Sequence, residues 1–265
     1  GLSALTAVIG GGACAYLWLR RIVGDGVACA AAVFYTALPY HLIVDLYIRG
    51  ALAELFAFIW MPLALYFGLR FADRPRLACL GLATSYALLI VSHLPTALIF
   101  TPLPLGYAWF MAKPDERRRH GILTIYALGL GVGLSAVYLV PAIALRRFVS
   151  MQEMQRPVTY FGNWFLFSGS AWRELNTQIT LVSSASVVLA ICFFAFAKRS
   201  GGEPVKRESK FWLWVSLLAF VMMIPGEPPG VEDAADFAEH TIPVSVQHDS
   251  GRLGHGAVCD GDSLD

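Results

Sequence analysis

The chain has 265 residues, of which 57% are hydrophobic and 15% charged, and its mean hydropathy is +0.59. Soluble domains carry about 25% charged and roughly 45–50% apolar residues, so this composition excludes an ordinary water-soluble enzyme and a disordered chain. The net charge of +1 provides no global field for nucleic acid, and an integral membrane protein is the class that remains.

Eight stretches are apolar and long enough, or nearly so, to cross the roughly 30 Å hydrocarbon core of a bilayer as helices. Helices are expected because every backbone N–H must be bonded inside lipid, and the alternating pattern of a transmembrane barrel is absent. We therefore predict an all-α fold, a polytopic transmembrane helix bundle. The predicted spans are 2–19, 26–40, 51–69, 77–91, 96–112, 122–140, 179–197 and 211–224.

The basic residues between these spans alternate from one connection to the next. One alternate set of connections holds fourteen Lys and Arg residues, and the opposite set holds five. The positive-inside rule places the first set in the cytoplasm. We therefore predict a multi-pass protein of the plasma (inner) membrane, with 39–54 and 141–178 on its outer face. The cytoplasmic connections are predicted around residues 20–21, 70–76, 113–119 and 198–210.

The first predicted span follows directly on residue 1, which is Gly rather than Met. No basic segment or cleavage site precedes it, so 2–19 is predicted to be a span and not a signal peptide. We expect the chain to be a fragment whose N-terminal part is missing.

The segment 39–54 places His41, Asp45, Arg49 and Glu54 among apolar residues. If the segment is helical, the first three recur every four residues and share one face. Charges at membrane depth cost about 2.5–3.5 kcal/mol each, so they need partners, a wet cavity or a polar ligand. They line a substrate cavity in one interpretation; in the other, Asp45 and Arg49 form an ion pair that only orients the helix.

His93 lies in the predicted connection between the fourth and fifth spans, on the same outer face. Pro95 breaks the helix there, so His93 could meet the Asp45 segment across a cavity. A capped turn with a merely interfacial His93 is the favoured alternative. Neither His93 nor His41 has metal-ligand spacing to another His or Cys, so no metal site and no cofactor are predicted.

The longest outer loop, 141–178, mixes arginines with aromatic residues. Such a mixture suits stacking on sugar rings and binding of phosphate, which makes the loop a candidate substrate loop. It equally suits an interfacial aromatic belt, which is the favoured reading for any single residue. The candidates are Arg146, Arg147, Arg156, Tyr160 and Trp164.

Glycines cluster inside two of the predicted spans, at Gly10–Gly12 and at Gly129, Gly131 and Gly133. They precede no strand–helix turn, so a phosphate-binding loop is rejected. Small residues inside a span allow helices to approach closely, and that is the role we predict for them.

Four stretches together resemble a known family: LPYHLIVDLYIRGALAE at 38–54, MPL at 61–63, ALLIVSHLP at 87–95 and VYLVPA at 137–142. They resemble bacterial multi-spanning membrane proteins called 6-pyruvoyl-tetrahydropterin synthase-related, which look like GT-C glycosyltransferases. The name implies no pterin chemistry. The resemblance covers roughly residues 1–225, and its most specific part is the stretch at 38–54.

The resemblance implies a glycosyltransferase that uses a polyprenyl-phosphate-linked sugar at the outer face to modify envelope glycan. The acidic residue of the first large outer loop, which assists catalysis in such enzymes, would lie upstream of Gly1. Asp45, Arg49, Glu54 and His93 match the polar positions of the family and would line the cavity. Arg49 binding the donor phosphate is favoured over Asp45 as a general base. The alternatives are a transporter or lipid-handling protein, and a non-catalytic structural subunit whose charged motif only orients helices. Membrane lipid is an expected partner in each case.

The last forty residues differ in composition from the rest of the chain. Nine of the 19 acidic residues lie in 226–265, which contains no apolar run. One interpretation is a polar, disordered tail after the transmembrane domain 1–225. The other is a frameshift near codon 231, because codons permitted in a shifted frame allow a family-like segment followed by an apolar run. Both interpretations predict a tail without a packed core.

Overall fold

The computed structural model describes residues 1–148, 165–166 and 173–224 of the chain. Its regular elements within these ranges are all helical, which confirms the predicted all-α class. A π-helical segment, Tyr40–Ile48, follows the second helix, and a short 3₁₀ turn, Arg146–Phe148, follows the eighth. The α-helices are α1 (Leu2–Leu19), α2 (Asp25–Thr36), α3 (Leu52–Gly68), α4 (Pro75–Ser92), α5 (Leu94–Phe100), α6 (Pro102–Met111), α7 (Arg117–Leu134), α8 (Ala136–Leu145), α9 (Arg173–Ser200) and α10 (Glu203–Met222).

Each of the eight predicted spans coincides with helix, but not every helix has the length and apolarity that crossing a membrane requires. Five stretches have both within the described ranges, and α7 with α8 makes a sixth if that bent pair is one span. Helix α3 is apolar but has only 17 residues. Several candidate spans support a membrane protein, while the number of eight stays a prediction. The five stretches are Leu2–Leu19, Asp25–Ile48, Pro75–Ser92, Leu94–Met111 and Thr177–Arg199.

The α-helix is interrupted within three of the predicted straight spans, including 96–112, where Thr101 separates α5 from α6. The span predicted at 26–40 ends its α-helix at Thr36, because Pro39 disfavours helix in the residue before it. The span predicted at 122–140 bends by 66° at Ser135, whose hydroxyl donates a hydrogen bond to the Val132 carbonyl. Gly131 and Gly133 weaken the helix just before this bend.

The buried core lies where α4 packs between α3 and α7. The backbones of α4 and α7 approach closely at Gly131, where an added Cβ would stand 2.8 Å from the Ala83 carbonyl oxygen. A Cβ on Gly12 would stand 2.7 Å from the methyl of Thr36 on α2. The predicted role in helix approach is therefore confirmed for Gly12 and Gly131, whereas Gly129 and Gly133 face open space.

Three of the connections predicted to be basic and cytoplasmic lie together at one end of the bundle, with the N-terminal part of α10. Arg21 pairs with Asp73 across two of them, and the Phe71 ring contacts His120 with 5.8 Å between ring centroids. Arg207 donates a hydrogen bond to the Met111 carbonyl at 3.4 Å. We call this the basic end, defined by residues 20–24, 69–74, 112–116 and 201–207. Its common location agrees with the alternation of charge in the sequence.

Candidate functional site

The segment that carries His41 and Asp45, Tyr40–Ile48, is a π-helix. The Arg49 amide donates to the Val44 carbonyl, five residues back, at 2.8 Å. The π-helix ends at Ile48, and Gly50, whose φ of +60° favours glycine, allows the chain to turn into α3. The Ala51 amide then donates to the Asp45 carbonyl at 2.7 Å. Turns of π-helix are rare and occur frequently at functional sites.

This turn brings four polar side chains together, which we call the Arg49 cluster: Tyr40, Asp45, Arg49 and Glu54. Arg49 Nη1 donates to Asp45 Oδ1 at 3.0 Å and to Glu54 Oε2 at 2.7 Å. The Tyr40 hydroxyl donates to Glu54 Oε1 at 2.9 Å and lies 3.4 Å from Arg49 Nη1. Three of the predicted residues therefore meet, and the guanidinium bridges the π-helix to α3.

The members of the Arg49 cluster differ sharply in exposure. The side chain of Asp45 is fully buried and that of Glu54 is 11% exposed, whereas that of Arg49 is 47% exposed. Asp45 Oδ2 is buried and has no hydrogen-bond partner within the described part of the chain. All the hydrogen bonds of Arg49 use Nη1, so Nε and Nη2 have no partner there either. A guanidinium with this edge unpaired can bind a carboxylate or phosphate through two parallel N–H bonds.

His41 lies on the same segment but does not join the Arg49 cluster. Its Nδ1 donates to the Tyr35 carbonyl at 2.8 Å, and its ring lies 4.1 Å from that of Phe58. The Tyr35 hydroxyl in turn donates to the Phe58 carbonyl at 2.8 Å. His41 therefore attaches the π-helix to α2 and α3.

His93 lies at the junction of α4 and α5, where no side-chain hydrogen bond caps the start of α5. It ends α4 and precedes α5, and its Nδ1 shares a hydrogen bond of 2.7 Å with Thr96 Oγ1. The neighbouring Ser92 hydroxyl accepts a bond of 2.9 Å from the indole of Trp60. No contact joins His93 to the Arg49 cluster in residues 1–148.

The candidate substrate loop is described only at its start. Arg146 and Arg147 form the 3₁₀ turn after α8 and are exposed, and the guanidinium of Arg147 stacks on Phe148 at 4.9 Å. Arg156, Tyr160 and Trp164 lie outside the described residues, as does the tail 226–265. Across the described ranges, no group of three His, Cys, Asp or Glu residues is placed to hold a metal ion.

A second polar network, at the other end of the bundle, was missed in the sequence. The Trp18 indole donates to the Tyr107 hydroxyl at 2.8 Å, and that hydroxyl donates to Glu208 Oε1. The Trp212 indole donates to Glu208 Oε2 at 3.0 Å. The network ties α1, α6 and α10 together around a carboxyl group that is 3% exposed. The local sequence does not indicate this network, because Glu208 lies among basic residues that are typical of a solvent-exposed connection.

Glu208 lies three residues before the predicted span 211–224, and its surroundings change its acidity. Burial raises the pKa of Glu208 to about 7, although the hydrogen bonds from Tyr107 and Trp212 act in the opposite direction. Burial disfavours the charged form of a carboxyl group, and hydrogen bonds to the carboxylate favour it. The network therefore surrounds a carboxyl group that titrates near neutral pH.

Comparison of the chain with protein-family models, with curated proteins and with solved structures finds no match.

Proposed function

We propose that the chain is an integral membrane protein that binds a polyprenyl-phosphate-linked sugar through Arg49 and acts in glycosyl transfer. The observation that carries this proposal is the edge of the Arg49 guanidinium, which is half-exposed and has no partner at Nε and Nη2 among the described residues. A lipid-linked ligand is proposed because Asp45 lies in Asp25–Ile48, a stretch that is long and apolar enough to cross a membrane. The transfer step and its outer-face location rest on the family resemblance and on the distribution of basic residues.

In this proposal the residues around Arg49 position it and do not touch the sugar. Asp45 and Glu54 both bind Nη1, which turns the opposite edge of the guanidinium outward. Two parallel N–H bonds from Nε and Nη2 would then hold one phosphate of the donor. Tyr40 keeps Glu54 in place through its hydroxyl. Asp45 is fully buried, so it acts on the donor through Arg49 and not by direct contact.

A purely structural ion pair is the second candidate function, and the two carboxylates favour it. Both carboxylates pair with the charge of Arg49, which is what an ion-paired cluster that orients the π-helix against α3 requires. Arg49→Lys distinguishes the two functions. Lysine keeps the charge for an ion pair, but it lacks the planar fork that binds phosphate in a bidentate manner.

The test measures binding of polyprenyl-phosphate sugar to the purified full chain, envelope glycan in cells and protein abundance. We expect Arg49→Lys to weaken binding at least tenfold at unchanged abundance, which corresponds to about 1.4 kcal/mol. The matched control is Arg20→Gln, which removes an exposed arginine of the basic end that lies 3.6 Å from Asp25. It should alter neither binding nor glycan.

Two results would decide against the proposal. If Arg49→Lys binds the donor like the wild type while Arg49→Gln lowers only abundance, the ion pair is structural. If Arg49→Lys loses binding but envelope glycan persists, the chain handles a lipid-linked sugar without transferring it.

A further inference from the structure

A groove at the basic end of the bundle has no part in the proposed function. It lies between the first turns of α4 and α7 and forms a cavity of about 530 Å³. Two arginines, Arg76 and Arg119, stand at its outer end, one on each helix. Its apolar walls include Leu80, Leu123, Tyr126 and Leu130.

The charge of the groove is not balanced by the chain. Arg76 and Arg119 are exposed, and neither has an ion-pair or hydrogen-bond partner among the residues the structure describes. Arg118 lines an adjoining depression of about 380 Å³, which Arg119 also borders. Asp115 also lines that depression, so the groove and the depression together are lined by three arginines and one acidic residue. Both helices begin at this end, and their N-termini add a positive field.

The apolar walls continue from the arginines towards the middle of the bundle. Arg119, Leu123, Tyr126 and Leu130 recur at helical spacing along α7. From Arg119 to Leu130 the helix rises by about 16 Å, close to the roughly 15 Å of one hydrocarbon leaflet. Tyr126 is 64% exposed and Leu80 is 59% exposed. A charged head followed by an open apolar trough of this length matches the shape of a phospholipid.

We propose that this groove binds an anionic phospholipid, with its phosphate on Arg76 and Arg119 and an acyl chain along Leu80, Leu123 and Tyr126. Basic pockets between transmembrane helices are suited to anionic lipid headgroups. Free phosphate would use the arginines alone and leave the apolar wall in contact with water. A zwitterionic lipid would bring its own cation and leave the two guanidinium groups uncompensated.

The experiment titrates the purified full chain in detergent with phosphatidylglycerol and with phosphatidylcholine of the same acyl chains, read by native mass spectrometry. The variant Arg76→Gln/Arg119→Gln removes the charge of the groove. We expect it to bind phosphatidylglycerol about 25-fold more weakly, about fivefold per arginine, with phosphatidylcholine unchanged. If the double variant does not fold, each single variant carries the test at about fivefold.

The matched control is Arg74→Gln/Lys113→Gln, which removes two exposed charges from the same end but outside the groove. It should change binding of phosphatidylglycerol less than threefold. A further variant, Leu80→Ser/Tyr126→Ser, removes apolar surface from the trough and should weaken binding of both lipids. Equal losses in the two charge variants would overturn the proposal, because they would show diffuse attraction. Displacement of phosphatidylglycerol by millimolar inorganic phosphate would also overturn it, because the site would then serve free phosphate.

Discussion

Replacing Gly131 by alanine tests the close approach of α4 and α7. The new Cβ would stand 2.8 Å from the Ala83 carbonyl oxygen and 3.0 and 3.2 Å from two carbon atoms of Tyr86. Carbon atoms pack best at about 3.5–4.0 Å, so the two backbones must separate by roughly 0.5 Å. Ala83 is fully buried and Tyr86 is 4% exposed, so neither has free space to move into.

The magnitude follows from a comparison with Gly129, which lies two residues earlier on the same helix and has nothing within 4 Å of its Cβ position. Alanine gains about 1 kcal/mol of helix propensity over glycine at either site. Forcing a methyl group into packed surroundings costs about 1–3 kcal/mol. Gly129→Ala should therefore stabilise the chain, and Gly131→Ala should be less stable than Gly129→Ala by about 1–3 kcal/mol.

The assay is reversible unfolding of the full chain in mixed detergent micelles, with helix content followed by circular dichroism. The propensity gain is common to both variants, so the difference between their free energies of unfolding isolates the contact with α4. Equal stability of Gly131→Ala and Gly129→Ala would refute the close approach of the two helices.

Three further predictions concern single residues. Tyr107→Phe should lower the free energy of unfolding by about 1–3 kcal/mol, because it removes the donor to buried Glu208, whereas Tyr126→Phe, at an exposed site, should change it little. The free energy of unfolding should fall as pH rises from about 4.5 through 7, because burial raises the pKa of Glu208 in the folded chain. Glu208→Gln should remove that part of the pH dependence. An unchanged pH profile in this variant would contradict the prediction. Gly50→Ala should lower the free energy of unfolding by about 1–2 kcal/mol, because residue 50 has a left-handed φ, and it should weaken ligand binding at Arg49. The control Gly26→Ala, in α2, should change neither stability nor binding.

The positions of the helices could be predicted from the sequence, because long apolar runs are a local property of the chain. The breaks were harder to predict, since the bend at Ser135 depends on how α7 packs against α4 as well as on its glycines. The pairing of Asp45 with Arg49 could be predicted from the sequence, because residues four positions apart lie on the same face of a helix. The π-helix that actually presents them was not, because a spacing of four fits both kinds of helix.

Contacts between residues distant in the chain escaped prediction altogether. Tyr107 and Glu208 are separated by 101 positions, and no periodicity relates them. Glu54 was expected to lie near Arg49, but its bond depends on the turn at Gly50. For His41 and His93, the residue type suggested a role in a substrate cavity. In the structure His41 instead bonds a backbone carbonyl and His93 a neighbouring hydroxyl.

The network around Glu208 also sets an order for assembly of the bundle. Trp18 belongs to the first helix and Trp212 to the last described one, yet their ring centroids lie 5.6 Å apart. At a synthesis rate of about 5–20 residues per second, the ribosome needs roughly 10–40 s to travel from one tryptophan to the other. Tyr107 is made near the middle of that interval, and its hydroxyl has no carboxyl group to bind until Glu208 follows. The junction of α1, α6 and α10 is therefore completed late, and until α10 arrives it is open to helices of other chains.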